Sequence, residues 1–132
     1  MLTIYADIRR YATMKVNIGR MKAAADQASD LLKALANRHR LLIVCQLIEG
    51  ERSVGELADF LNIRASAVSQ HLALLRKDGL VQARREGQTV WYAVRSAPAR
   101  ALAGAICRVY CAPATRRSPR LAPQRRGAKR LR

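Results

Sequence analysis

The chain has 132 residues, half of them hydrophobic, with 25 Lys and Arg against 9 Asp and Glu and a formal charge of +16. That length holds one domain with a modest core plus tails, and no run approaches the roughly 18–20 apolar residues that a membrane span requires. Three cysteines, Cys45, Cys107 and Cys111, are an odd number at no zinc-finger spacing, with no signal peptide ahead of them, which implies a cytosolic, reduced protein.

Residues 1–20 carry +3 with weak periodicity. They read as an N-terminal extension, either an amphipathic addition or the product of a start placed too far upstream. From Met21 the apolar residues recur at three and four, and Ala24, Ala28, Leu31, Leu32 and Leu35 predict one helix that breaks near Asn37. A second helix is expected over about 38–49, with Leu41, Cys45 and Ile48 on one face, Leu42 beside them, and Gly50 ending it. Ser53 opens "SVGELADFL" with Glu56 three residues on, a capping-box spacing for a third helix that ends near Leu61. After "NIR" a fourth helix is predicted from about Ala65 to Lys77, with Val68, Leu72 and Leu75 inward and Gly79 placed to terminate it. Two short helices across a tight turn form a helix-turn-helix.

The period then changes. "LVQARREGQTVWYAV" predicts strands over about 81–85 and 89–94 around the polar turn Glu86, Gly87 and Gln88, a hairpin that follows a recognition helix as a wing. Pro98 suits the first turn of a last helix that runs to about Cys111, before Pro113. Residues 113–132 carry +8 with no acid and are rich in Pro and Arg. They predict a disordered tail that adds nonspecific phosphate attraction or is merely solvated. The folded domain is thus placed at 21–112, mainly α with a β-hairpin wing, in the order α-α-α-α-β-β-α.

That order, with the string "SVGELADFLNIRASAVSQHLALLRKDGLVQARREGQTVWYAV", resembles the ArsR family of winged helix-turn-helix repressors over about residues 24–112, and "SQHLALLRKDGLV" is its most specific part. The resemblance implies a cytoplasmic homodimer, built by the first and last helices, that binds an inverted-repeat operator in double-stranded DNA and releases it when an inducer is sensed. On the fourth helix Ser66, Ser69, Gln70 and Arg76 fall toward the outer faces. Gln can pair with adenine through two hydrogen bonds, and Ser is less selective. Arg64 ahead of the helix, and Arg84 and Arg85 on the wing with Gln88 at its turn, suit phosphate contacts or minor-groove probes. His71 either touches the DNA backbone or braces the helix start.

The family is sorted by its sensing ligands. The position of the metal-binding Cys-Val-Cys box holds Ser53, Val54 and Gly55, and the last helix, "PARALAGAICRVYC", has no Asp, Glu or His, so no metal ligands and no cofactor are expected. "LLKALANRHRLLIVCQLIEGERSVGEL" with a distant "RVYC" resembles the BigR and SqrR branch, which responds to reactive sulfur through one cysteine in the second helix and one at the end of the last. By position that pair is Cys45 and Cys111, with Cys107 a further candidate outside the branch pattern. A thiolate attacks the sulfane sulfur of a persulfide and becomes a persulfide itself, and the second thiolate can close a polysulfide bridge.

Three other readings stay open. On its own segment Cys45 reads first as core filler, because free cysteine packs like a small hydrophobe, and only the resemblance favours a sensing role. All three thiols together suit a thiophilic metalloid such as trivalent arsenic. A constitutive basic nucleic-acid-binding protein would ignore the thiols. No Ser-His-Asp, paired-carboxylate or phosphate-loop pattern is present, so an enzyme is not expected.

Overall fold

Asn17 starts the first helix: its side chain accepts the backbone N–H of Arg20 at 2.9 Å, and α1 runs Ile18–Leu35, three residues ahead of the expected start at Met21. The computed structural model describes residues 15–111. Within them, residues 16–105 form one unit, and Lys15 with 106–111 belongs to another. The remaining elements are α2 (Arg38–Ile48), β1 (Arg52–Ser53), α3 (Val54–Leu61), α4 (Ala65–Lys77), β2 (Val81–Glu86), β3 (Thr89–Val94) and α5 (Ala97–Tyr110). The tail at 113–132 and most of the N-terminal extension lie outside the described residues.

Local chemistry sets most boundaries. Asn37 turns the chain from α1 into α2 and caps α2 by accepting from the His39 and Arg40 backbone N–H groups. Ser53 and Glu56 form the reciprocal capping box of α3, each side chain accepting from the other's backbone N–H. Asn62 then takes a left-handed conformation, φ 58°, which its short amide tolerates, and turns the chain into α4. Gly79, φ 79°, ends α4: its N–H donates to the Arg76 carbonyl and that of Leu80 to the Leu75 carbonyl. This is a Schellman pair, and it folds Leu80 back onto the core.

The core draws Ile43, Val44 and Leu47 from α2, Leu57 from α3, Val68, Leu72 and Leu75 from α4, Leu80, Val81 and Val94 from the wing base, and Ala99 and Ala103 from α5. Burying each large aliphatic side chain contributes about 1.5–3 kcal/mol. The innermost face of α2 is therefore not the one expected. Leu41, Cys45 and Ile48 lie half-buried at its flank, packed against the core, and Ile43, Val44 and Leu47 fill it. "RLLIVCQLI" is apolar on two adjacent faces, so its periodicity fits either stripe. On α1 only Ala34 and Leu35 are buried, while Ile18, Met21 and Leu32 are exposed.

The sheet has three antiparallel strands in the order β1-β3-β2, one more than the sequence predicts. The extra strand is two residues long, with Arg52 opposite Tyr92 and Ser53 opposite Trp91. It has no periodicity to read, and Ser53 is already engaged as a helix cap. Glu86 pairs with Thr89 across the wing tip, leaving Gly87, φ 64°, and Gln88 as a two-residue turn. Positive φ at the first turn residue alone is the type II′ pattern, whose twist suits a hairpin.

Candidate nucleic-acid interface and thiol positions

Val68, Leu72 and Leu75 lock α4 into the core, which fixes what its other faces present. Ser66, Ser69 and Gln70 emerge together, exposed, on the N-terminal half, with Arg64 just ahead and Arg76 nearer the C-terminal end. The structure brings these five onto the solvent side of one helix and its entry. Arg85 and Gln88 are exposed on the wing, and neither forms an ion pair among the described residues.

Arg84 is placed differently. Its Nε and Nη2 donate to the two carboxylate oxygens of Glu51 at 2.9 and 2.7 Å, and its Nη1 donates to Glu86 at 3.1 Å. The bonds from Arg84 hold the Glu51 carboxyl below the usual carboxylate range, and the guanidinium is pushed further toward its charged form. Glu51 was not among the residues singled out by sequence. It sits 33 positions from Arg84, and no spacing rule spans that gap.

His71 also departs from the outer face. It is half-buried, its ring centroid lies 5.5 Å from that of His39 on α2 with the planes tilted 42°, and both Nδ1 atoms are buried without a protein hydrogen-bond partner. Of its two expected roles, the geometry fits bracing the helix, here against α2. Burial, then the positive charge of Arg40 and the neighbouring His39, lower its pKa from the ordinary value. The folded protein thus favours neutral His71, while the unfolded chain binds a proton near pH 6.5. Stability is present in full above that pH and declines as pH falls from there toward the lowered folded value. Urea melts at pH 7.5 and 5.5 should show this loss for the wild type and a smaller one for His71→Gln; equal losses would remove His71 as the cause.

The three thiols divide between the two units. Cys45 is half-buried on the α2 flank that also carries Leu41 and Ile48. Cys107 and Cys111 are exposed at the end of α5, one helical turn apart, with the Cys111 N–H donating to the Cys107 carbonyl at 2.7 Å. A hydrogen bond with the Cys107 side chain, and then burial, raise the Cys111 pKa. A raised pKa leaves Cys111 with less thiolate near neutral pH than an ordinary cysteine has, and the thiolate is the nucleophile. Among the described residues no three His, Cys, Asp or Glu side chains gather as a metal site would need, and no helix is long and apolar enough to cross a membrane.

A recognition helix with a polar outer face, braced by a three-helix core and followed by a β-hairpin, defines a winged helix-turn-helix domain. The family model described as "Bacterial regulatory protein, arsR family" matches residues 37–83. The transcriptional activator HlyU of Vibrio cholerae is 47% identical over 96 residues, 73% of this chain and 89% of HlyU. The solved structure of reduced HlyU matches with a TM-score of 0.67 at 48% identity, covering 70% of this chain and 97% of that one. The transcriptional repressor BigR of Xylella fastidiosa matches with a TM-score of 0.70 at 37% identity, covering 74% and 99%. A homodimeric winged helix-turn-helix DNA-binding domain from Mycobacterium bovis matches with a TM-score of 0.58 at 34% identity, covering 70% and 86%. The chain belongs to the ArsR family of bacterial transcription regulators.

Proposed function

We propose that the protein is a homodimeric, cytoplasmic repressor that grips an inverted-repeat operator through α4 and the wing, and that reactive sulfur releases it by modifying Cys45 and Cys111. The observation that carries the DNA-binding part is the outer face of α4. Ser66, Ser69 and Gln70 stand exposed where a recognition helix meets base edges, on a helix whose opposite face is wholly buried. Arg64, Arg76, Arg85 and Gln88 supply phosphate and groove contacts around it. Pairing with a second copy is supported by the exposed Ile18, Met21 and Leu32 on α1 and by the homodimeric Mycobacterium bovis relative.

The thiol part rests on the resemblance to the reactive-sulfur branch and on the partial exposure of Cys45, which a sensing thiol needs. The Cys45 thiolate attacks the central sulfur of an organic trisulfide and expels one thiolate. Cys111 then attacks the same sulfur and expels the second. The two cysteines end oxidised in a trisulfide bridge, and the donor leaves as two thiolates. The direction of control rests on the repressor reading, since HlyU is named an activator and BigR a repressor.

A second reading is favoured by the hydrogen-bonded Cys107 and Cys111 thiols, which suit a trivalent metalloid as soft ligands. Selection of duplexes from a random-sequence pool, followed by footprinting in reductant, after an organic trisulfide and after arsenite, tests these readings together. The expected result is an inverted-repeat footprint that survives arsenite and is lost after the trisulfide. Enrichment of no sequence would leave only a nonspecific basic protein.

A further inference from the structure

Just beyond α2, Glu51, Arg84 and Glu86 form a charge cluster that is built across the wing. In the strand order β1-β3-β2, Ser53 pairs with Trp91 and Trp91 pairs with Arg84. Glu51, just ahead of β1, therefore reaches over the middle strand to Arg84 on the outer one. The contact is a two-bond fork, the strongest geometry available to a guanidinium and a carboxylate, and Glu86 takes the third guanidinium nitrogen. Each of the three guanidinium nitrogens of Arg84 thus already donates to a carboxylate, which leaves it poorly placed to take a phosphate. The strand period of two puts the adjacent Arg85 on the opposite face of the sheet.

We propose that Arg84 serves operator binding as a positioning residue, with Glu51 as its anchor, and that it is not a phosphate ligand. The inference rests on the DNA-binding reading above. Pinning β2 to the link between α2 and β1 fixes the tilt of the wing and so fixes where Arg85 and Gln88 meet DNA. The two neighbouring wing arginines thereby divide the work: Arg84 holds the wing and Arg85 faces the nucleic acid.

The opposite assignment makes opposite predictions. If Arg84 touched phosphate, Glu51 would compete with DNA for it. Glu51→Gln would then tighten binding, and Arg84→Gln would lower the slope of log affinity against log salt by about 0.9 for each chain, about 1.8 for the dimer. A positioning clamp predicts that Glu51→Gln weakens binding by about 2- to 10-fold although it removes a negative charge, that Arg84→Gln does the same, and that the double variant is no worse than either. Neither should change the salt slope.

The probe is the inverted-repeat duplex recovered by selection with the wild-type protein, titrated at several salt concentrations, with thermal melts confirming that each variant is folded. Exchanging the charges, Glu51→Arg with Arg84→Glu, should recover much of the lost affinity under the clamp and none under the phosphate contact. Wild-type preference for the selected duplex over a scrambled one checks the DNA-binding reading. The direction of Glu51→Gln and the salt slopes check the clamp, and tighter binding by Glu51→Gln or a reduced slope for Arg84→Gln overturns it.

Discussion

Gln70→Ala is expected to weaken binding to the selected operator by about 5- to 150-fold, the worth of one base-edge contact of about 1–3 kcal/mol, while binding to scrambled DNA stays nearly unchanged. Gln70 is exposed on the N-terminal half of α4 and has no part in the core. Its loss therefore removes an amide that faces the groove without loosening the helix. Ser69→Ala should act in the same direction with a smaller effect, since one hydroxyl discriminates less than a two-bond amide. Leu72→Ala is the contrast. Leu72 is 1% exposed, and opening a cavity there should cost about 2–5 kcal/mol of folding stability, lowering binding to every duplex alike. A Gln70→Ala variant that lost specific and scrambled binding equally would take base reading away from this face.

Cys45→Ser should bind the operator normally in reductant and stay bound after treatment with glutathione trisulfide, whereas the wild type should lose roughly 5- to 150-fold in affinity, a coupling of about 1–3 kcal/mol. Cys111→Ser should behave likewise, and Cys107→Ser should still be released. Intact mass should show the wild type gaining one sulfur atom and losing two hydrogens. The raised pKa of Cys111 lowers its thiolate fraction and so supports placing its attack second. Loss of the response in Cys107→Ser alone would move the second thiol to Cys107. Three single variants that all respond as the wild type would return Cys45 to a packing role.

Features written in neighbouring residues were legible in the sequence. The capping box at Ser53 and Glu56, the span Ala65–Lys77 with its buried Val68, Leu72 and Leu75, and the strand Thr89–Val94 all follow from spacing within one turn or one strand. Features written across the fold were not. The His39–His71 contact and the Glu51–Arg84 clamp join residues 32 and 33 positions apart, which composition and period do not connect. The β1 strand is too short for an alternation to register. The innermost stripe of α2 is not legible in the sequence because its two apolar stripes are equally continuous, and only packing against α3 and α4 selects between them. For the same reason Arg84, expected on the DNA side, is turned to carboxylates, and of the two roles open to His71 the packing against α2 is the one its position fits.

One fluorescence-anisotropy titration at fixed salt separates a thiol-controlled reader of DNA sequence from a merely basic protein. The labelled selected duplex and its scrambled counterpart are each titrated with wild-type protein, first in reductant and then after glutathione trisulfide. The expected result is a preference for the selected duplex of at least about 10³-fold in reductant, two chains bound per inverted repeat, and a fall in specific affinity after treatment while scrambled binding barely moves. Equal affinity for the two duplexes in reductant would contradict it.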